Sequence, residues 1–392
     1  LRVALTSEQE QLREELRDYF SQLVTPERRA ALSSASGEFG DATVYKEVIR
    51  QLGTDGWLGI GWPKEYGGQD RSMVEQLIFT DAAAVAGVPV PYLTLNTVGP
   101  TIMRFGTDAQ KEYFLPRILA GDLHFSIGYS EPESGTDLAS LRSKAVLEGD
   151  SWVIDGQKMW TSLIQYADWI WLACRTEPDL PRHKGLSILL VPADAEGFSY
   201  TPVHTVSGVG TSATYYEGVR VPAENVVGER GGGWALVTNQ LNHERVALTS
   251  AAPLRHSIDL VRAWAQETKN PDGTRVIDQE WVQLLLGRAH ARTEALTLLN
   301  WQLASATADL SPADASATKV FGSELATEVY RSLIEIVGPS AMLAAGSPGA
   351  ALAGRLERFQ RSSLVMTFGG GTNEIQRDII GYVGLGLPAA KR

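Results

Sequence analysis

The spacing of apolar positions changes period twice along the chain. Up to about Phe125 it is helical: Leu12, Leu16, Tyr19, Phe20 and Leu23 form a stripe on one face. Thr6 or Ser7 supplies a cap ahead of that stripe, and Glu10 stands at capping-box spacing from Ser7. Gly53, Gly56, Gly59, Gly61, Pro63, Gly67 and Gly68 then mark a turn-rich break. Helical spacing returns over Met73–Ala86 and Gln110–Leu119.

From about Ser126 the period becomes two. Lys144–Glu148 and Trp152–Asp155 flank Gly149-Asp150, the pattern of a hairpin. Trp169–Arg175, Leu186–Val191 and Thr214–Val221 read as further strands, so a compact β domain is expected here. From Gly233 onward long helices return. Ser311-Pro312 and Ser347-Pro348 each read as a cap followed by a first-turn proline. Pro253 is expected to kink a helix or end its first half, and Gly338-Pro339 to end another. The expected domains are helical 1–125, β 126–229 and helical 230–392, with no internal repeat.

Composition narrows the class. The 392 residues carry 46 acidic and 35 basic side chains, a net charge of −11, which argues against a nucleic-acid surface. With 44% apolar and 21% charged residues the chain is neither disordered nor a coiled coil. Its single cysteine, Cys174, excludes an internal disulfide and any cysteine-built metal site. No stretch reaches the roughly 18 apolar residues of a membrane span, so a soluble cytoplasmic protein is expected, with no membrane partner. Metal-ligand spacing is missing from His243, His256 and His290, and no Gly-x-Ser-x-Gly elbow offers a nucleophile. Gly231-Gly232-Gly233 and Gly369-Gly370-Gly371 lack Walker or Rossmann context and read as helix boundaries or close backbone approaches.

Tyr129-Ser130-Glu131-Pro132-Glu133-Ser134-Gly135-Thr136-Asp137 resembles the first signature of the acyl-CoA dehydrogenases. Asp155–Ser162, Val219–Asn225 and Gly371–Arg377 resemble three more, in the same order. Gly61–Gly68, Tyr166–Leu172 and Leu241–Leu248 are similar to a bacterial subgroup that shortens the cholesterol side chain as α₂β₂ heterotetramers, and to its glutamate-bearing chain. The resemblance implies an α+β fold: an N-terminal helical domain, a central β-barrel domain and a C-terminal four-helix bundle. It implies FAD, a steroid acyl-CoA substrate, a second acyl-CoA dehydrogenase-like chain, and an electron-transfer flavoprotein as acceptor.

The implied reaction removes a proton from Cα while a hydride leaves Cβ for the flavin. Many family members carry their base just before the Gly-Thr of the last signature, where this chain has Gly370. Isovaleryl and long-chain members place it on the helix after the β domain, and Glu244 matches that position. Without the family, a helical Glu beside an Arg reads as a solvated charge. Arg245 matches an arginine near the substrate, and equally fits a salt bridge in the helical domain. Gly370 is expected to donate its N–H to the thioester oxygen and to leave room for a bulky acyl group. Ile127, Tyr129 and Ser130 match positions along the isoalloxazine, while Gly135 and Thr136 match the pyrophosphate contact. Trp160, Thr161 and Ser162 match residues covering the ring, and Gly371, Thr372 and Glu374 match the adenosine side.

The chain departs from the homotetrameric pattern in two places. No Arg-x-x-Phe occurs around Lys269–Ile277, and Glu335-Ile336-Val337-Gly338-Pro339 puts glutamate and proline where the family turn has glutamine and glycine. These departures imply that another chain completes the flavin site. Two alternatives stay open on sequence: a non-catalytic subunit completing a partner's site, and an oxidase passing electrons to oxygen.

Overall fold

A computed structural model describes residues 4–32, 42–208, 210–238, 249–306 and 311–388. The helical spacing at the start folds as α1 (Ser7–Leu23), α2 (Pro26–Leu32), α3 (Ala42–Thr54), α4 (Met73–Ala86), α5 (Gly99–Phe105) and α6 (Asp108–Leu119). Thr6 is the cap of α1 and its reciprocal partner is Gln9, one residue earlier than the Ser7–Glu10 spacing. Ser72 with Glu75 and Thr107 with Gln110 close the same box on α4 and α6. The glycine-rich break is a run of tight turns; Gly68 lies so close to Trp62 that a Cβ there would fall 2.0 Å from its carbonyl oxygen. A π-helical turn, Leu93–Val98, precedes α5 and escaped the periodicity. It joins the next domain, because Thr94 Oγ1 accepts the N–H of Phe125 at 3.0 Å.

Eight strands come next: β1 (Phe125–Gly128), β2 (Lys144–Glu148), β3 (Ser151–Lys158), β4 (Trp169–Arg175), β5 (Leu186–Pro192), β6 (Phe198–Val203), β7 (Thr211–Pro222) and β8 (Val226–Val227). They form one mixed sheet in the order β6-β7-β3-β2-β4-β5-β8, with β1 parallel to β4. The β2–β3 hairpin turns at Gly149-Asp150 as the alternation predicts. Strand alternation divides the core. Ile170, Leu172 and Cys174 of β4 pack with Leu189, Val191 and Tyr216 on one face. Trp171 and Ala173 join the N-terminal helices on the other. Cys174 is fully buried, and desolvation pushes its thiol up to about 12.

Residues 233–238 (α7) resume helix, followed by α8 (Ala252–Glu267), α9 (Glu280–Ala304), α10 (Pro312–Val337), α11 (Arg355–Ser363) and α12 (Asn373–Ile379). Ser311-Pro312 opens α10 as expected, and Gly338 ends it at φ 78°. Pro253 stands in the first turn of α8, where its missing N–H costs nothing. Ser347-Pro348 does not start a helix. It lies in a turn, and α11 begins only at Arg355, after Leu352, Ala353 and Gly354 have all adopted left-handed φ. The packed faces of α8, α9 and α10 enclose a separate core around Val261, Val282, Leu325 and Leu333. The Gly231–Gly233 run is a close approach: a Cβ on Gly233 would fall 2.8 Å from Leu186 O.

Candidate active site

The first signature leaves β1 and folds into a loop whose anchor is an ion pair. Lys158 at the end of β3 has no exposed side-chain surface, and its ammonium lies 2.8 Å from Glu131 Oε1. Glu131 also accepts the backbone N–H groups of Arg142 at 2.6 Å and Ser143 at 2.8 Å. Burial alone would raise its carboxyl; Lys158 and those two N–H groups more than offset this and hold it below the usual carboxylate range. Lys158 further donates to the Tyr129 carbonyl at 3.1 Å, and the N–H of Met159 donates to Ser130 O at 2.8 Å. The first and second signatures are thereby locked together. Tyr129 Oη accepts from Trp171 Nε1 at 3.0 Å.

Beyond Met159 the backbone turns sharply. Trp160 (φ 63°) and Leu163 (φ 68°) are both left-handed, and bracket Thr161 and Ser162. For such bulky residues this conformation is strained, and strain of this kind clusters at functional sites. Trp160 is 56% exposed although it is the largest side chain of the segment. Thr161 is buried, with its N–H on Ser212 O at 3.0 Å and its hydroxyl 3.3 Å from Thr214 Oγ1. The carbonyl of Ser162 accepts the Ser126 hydroxyl at 2.8 Å, which fixes the segment over β1. Ile127, Ser130 and Ser162 are half-buried, while Gly135 and Thr136 are exposed. Backbone N–H groups of Ser130, Gly135, Thr136, Trp160 and Ser162 donate to no group among the described residues. A set of unused donors beside an exposed indole fits a large planar ligand carrying phosphates.

The last signature is built on α10. Gly370 (φ 66°) and Gly371 (φ 96°) make a left-handed turn that only glycine adopts without strain. Gln376 Nε2 reaches the Gly370 carbonyl at 3.3 Å, while the fully buried Lys319 of α10 donates to Gly371 O at 2.8 Å and to Asn373 Oδ1 at 2.9 Å. Ser316 donates to Gln376 Oε1 at 2.7 Å. With its carbonyl drawn inward, Gly370 has an N–H that donates to nothing among the described residues. Thr372 caps α12, accepting from Ile375 N at 3.3 Å. Hydrogen bonds from its own N–H and from Thr372 lower the carboxyl of the exposed Glu374 below the usual range.

Glu244 and Arg245 lie outside the described residues, as does His243. The third signature sits apart from both loops: Val219–Val221 pair with β3, and Gln110 holds the chain beyond them through the carbonyls of Glu224 at 2.8 Å and Val226 at 2.9 Å. Sequence reading assigned no role to Glu131, Lys158, Lys319 or Gln376. Nothing in the polar make-up of their elements marks Lys158 or Lys319, since each shares its strand or helix with other charged residues. No group of side chains suited to a metal occurs among the described residues, and none of their helices is long and apolar enough to cross a membrane.

This succession of domains and loops belongs to a known class. Residues 6–122, 126–219 and 231–385 match the N-terminal, middle and C-terminal domains of acyl-CoA dehydrogenase, and the chain is a member of that FAD-dependent oxidoreductase family. It is 64% identical over 400 residues to acyl-CoA dehydrogenase FadE26 of Mycobacterium tuberculosis, covering all of both chains. FadE29 of the same organism is 46% identical, again over the whole of both. Among solved structures, a chain of the ChsE4-ChsE5 complex from Mycobacterium tuberculosis is 64% identical with a TM-score of 0.94, and covers the full length of both. A chain of the Tcur3481-Tcur3483 steroid ACAD is 48% identical with a TM-score of 0.93, at the same full coverage.

Proposed function

We propose that this acyl-CoA dehydrogenase is the catalytic, FAD-binding chain of a cytoplasmic heteromer that desaturates a steroid side-chain acyl-CoA thioester, as in cholesterol side-chain β-oxidation. The steroid substrate and the second chain rest on the relatives whose names carry them. Ile127, Tyr129, Ser130, Gly135, Thr136, Trp160, Thr161, Ser162, Gly371, Thr372 and Glu374 would hold the flavin, and the N–H groups of Ser130, Gly135, Thr136, Trp160 and Ser162, unused among the described residues, support that reading. Bound FAD supplies the acceptor for the β-hydride and, by its redox state, the link to an electron-transfer flavoprotein.

The chain's own work is proton chemistry and orientation. A Cα–H beside a thioester is a weak acid, so the developing enolate oxygen needs a fixed donor. Gly370 N–H is that donor. Gly370 has no side chain to receive the proton, and Glu244, which matches the family's alternative base position, is the carboxylate base. In general, a carboxylate enclosed away from water gains the proton affinity that such an abstraction needs. Arg245 matches the family arginine near the substrate and is assigned to substrate contact by that resemblance. The observation that carries the reading is the Gly370 turn: an unused N–H at a position where a side-chain base is missing.

Co-expression with the second chain, followed by flavin stoichiometry and desaturation of a steroid acyl-CoA, tests it. Glu244→Gln is expected to keep its flavin and lose desaturation by about 10³-fold. Wild-type turnover in that variant would place the base elsewhere.

A further inference from the structure

The Gly370 turn and Thr249 meet the same face of α10. Lys319 on that face holds Gly371 O at 2.8 Å, and Ser323 meets Asn373 Oδ1 at 3.2 Å. Between them stands Gly322, pressed against Thr249. A Cβ added at Gly322 would lie 2.6 Å from Thr249 Cβ, 3.0 Å from its Cγ2, and 3.2 Å from Leu296 Cδ1 on α9. Real Cβ atoms do not approach so closely, so this crossing exists only because residue 322 is glycine. The contact is one of shape: the Thr249 hydroxyl is buried and has no partner among the described residues.

The next residue fixes the other side. Ser250 donates its hydroxyl to Asp81 Oδ1 of α4 at 2.6 Å and accepts the N–H of Ala252 at 3.1 Å, starting α8. The junction at Thr249-Ser250 is therefore pinned to α10 and α4 at once. Glu244 is five residues upstream. Covalent geometry keeps its Cα within about 18 Å of Thr249, whatever path the chain takes.

We propose that the Gly322–Thr249 contact is a positioning element of the reaction: it fixes Thr249, the first described residue after the base-carrying segment, against α10, three residues from the Lys319 that holds the Gly371 carbonyl. Gly322 touches neither substrate nor flavin; it acts through Thr249 on Glu244. The proposal rests on the assignment of Glu244 as base. A shift of about 1 Å at a reacting group costs on the order of 10²-fold in rate, so the defect falls on kcat and spares KM.

The test uses the co-expressed complex with Gly322→Ala, Thr249→Gly and the double variant, beside Glu244→Gln. A second readout is α-hydrogen exchange into D₂O of a 3-thia-acyl-CoA, whose sulfur leaves no β-hydride to transfer, so that exchange reports the base alone. Gly322→Ala is expected to lower kcat and exchange together by about 30-fold or more, with KM within about threefold and flavin content and thermal midpoint near wild type. Moving the glycine across the contact, as Gly322→Ala/Thr249→Gly, is expected to recover at least about tenfold of both. Unchanged kcat and exchange in Gly322→Ala overturns the proposal, as does a loss that the double variant fails to recover. Should Glu244→Gln retain turnover and exchange, the base assignment falls and the spacer falls with it. An inactive Glu244→Gln beside a fully active Gly322→Ala removes the spacer alone.

Discussion

Lys158 and Glu131 are charged side chains of kinds that sequence statistics place facing solvent, yet both are buried, Lys158 completely. Their pairing is what gives the first signature its shape, since one carboxylate gathers an ammonium and two backbone N–H groups. Removing one member of such a pair strands the other. Glu131→Gln is expected to destabilise the folded chain by about 3–5 kcal/mol, read by denaturant unfolding. A second titratable group sets an acid limit. His124 is buried against Tyr45, and desolvation pulls its imidazole from 6.5 down to about 4, more than the Asp168 carboxylate raises it. Between those values the unfolded chain binds the extra proton, so the stability is whole above about pH 6.5 and drains away as pH falls toward 4. His124→Phe should flatten the fall in thermal midpoint between pH 7 and 5, a difference on the order of 2 kcal/mol. An equally steep fall in the variant would assign the acid limit to other groups.

At the scale of elements, periodicity served where one face alone is buried, as in α1 and the β2–β3 hairpin. It misread Ser347-Pro348 because a capping residue and a proline suit a turn as well as a helix start. The chain past that turn runs left-handed, with Leu352 at φ 49°, Ala353 at 53° and Gly354 at 73°. Only the glycine is at ease there. A side chain in this region costs about 1–2 kcal/mol, and glycine's looser unfolded chain takes back part of any relief. Ala353→Gly is therefore expected to stabilise by about 0.5–1 kcal/mol, seen as a raised thermal midpoint. The site was legible in its signatures but not in its supports. Nothing in the spacing of Lys319, Gly322 and Ser323 announces that one face of α10 carries both the Gly370 turn and the Thr249 junction. That arrangement arises from contacts between segments about 50 and 70 residues apart in the chain.

For the whole molecule, eight of the exposed large apolar side chains among the described residues fall in the last part of the chain: Met342, Leu343, Leu364, Phe368, Tyr382, Val383, Leu385 and Leu387. In sequence, Met342 and Leu343 follow the altered Glu335–Pro339 turn, and Leu364 and Phe368 precede the Gly370 turn; the proposed second chain would complete the flavin site. Expressed alone, the chain should purify with much less than one flavin per protomer, and co-expression should restore the absorbance. A flavin-saturated homotetramer would overturn the heteromeric assignment.

Cys174 offers a clock that needs no engineering. Shielded by the sheet's inner face and reluctant to ionise, its sulfur can meet an alkylating reagent only during an excursion that opens the strands. Because the sequence contains no other thiol, each labelled molecule records one such opening. The pace of labelling with and without bound ligand then measures how firmly occupancy holds the strands together.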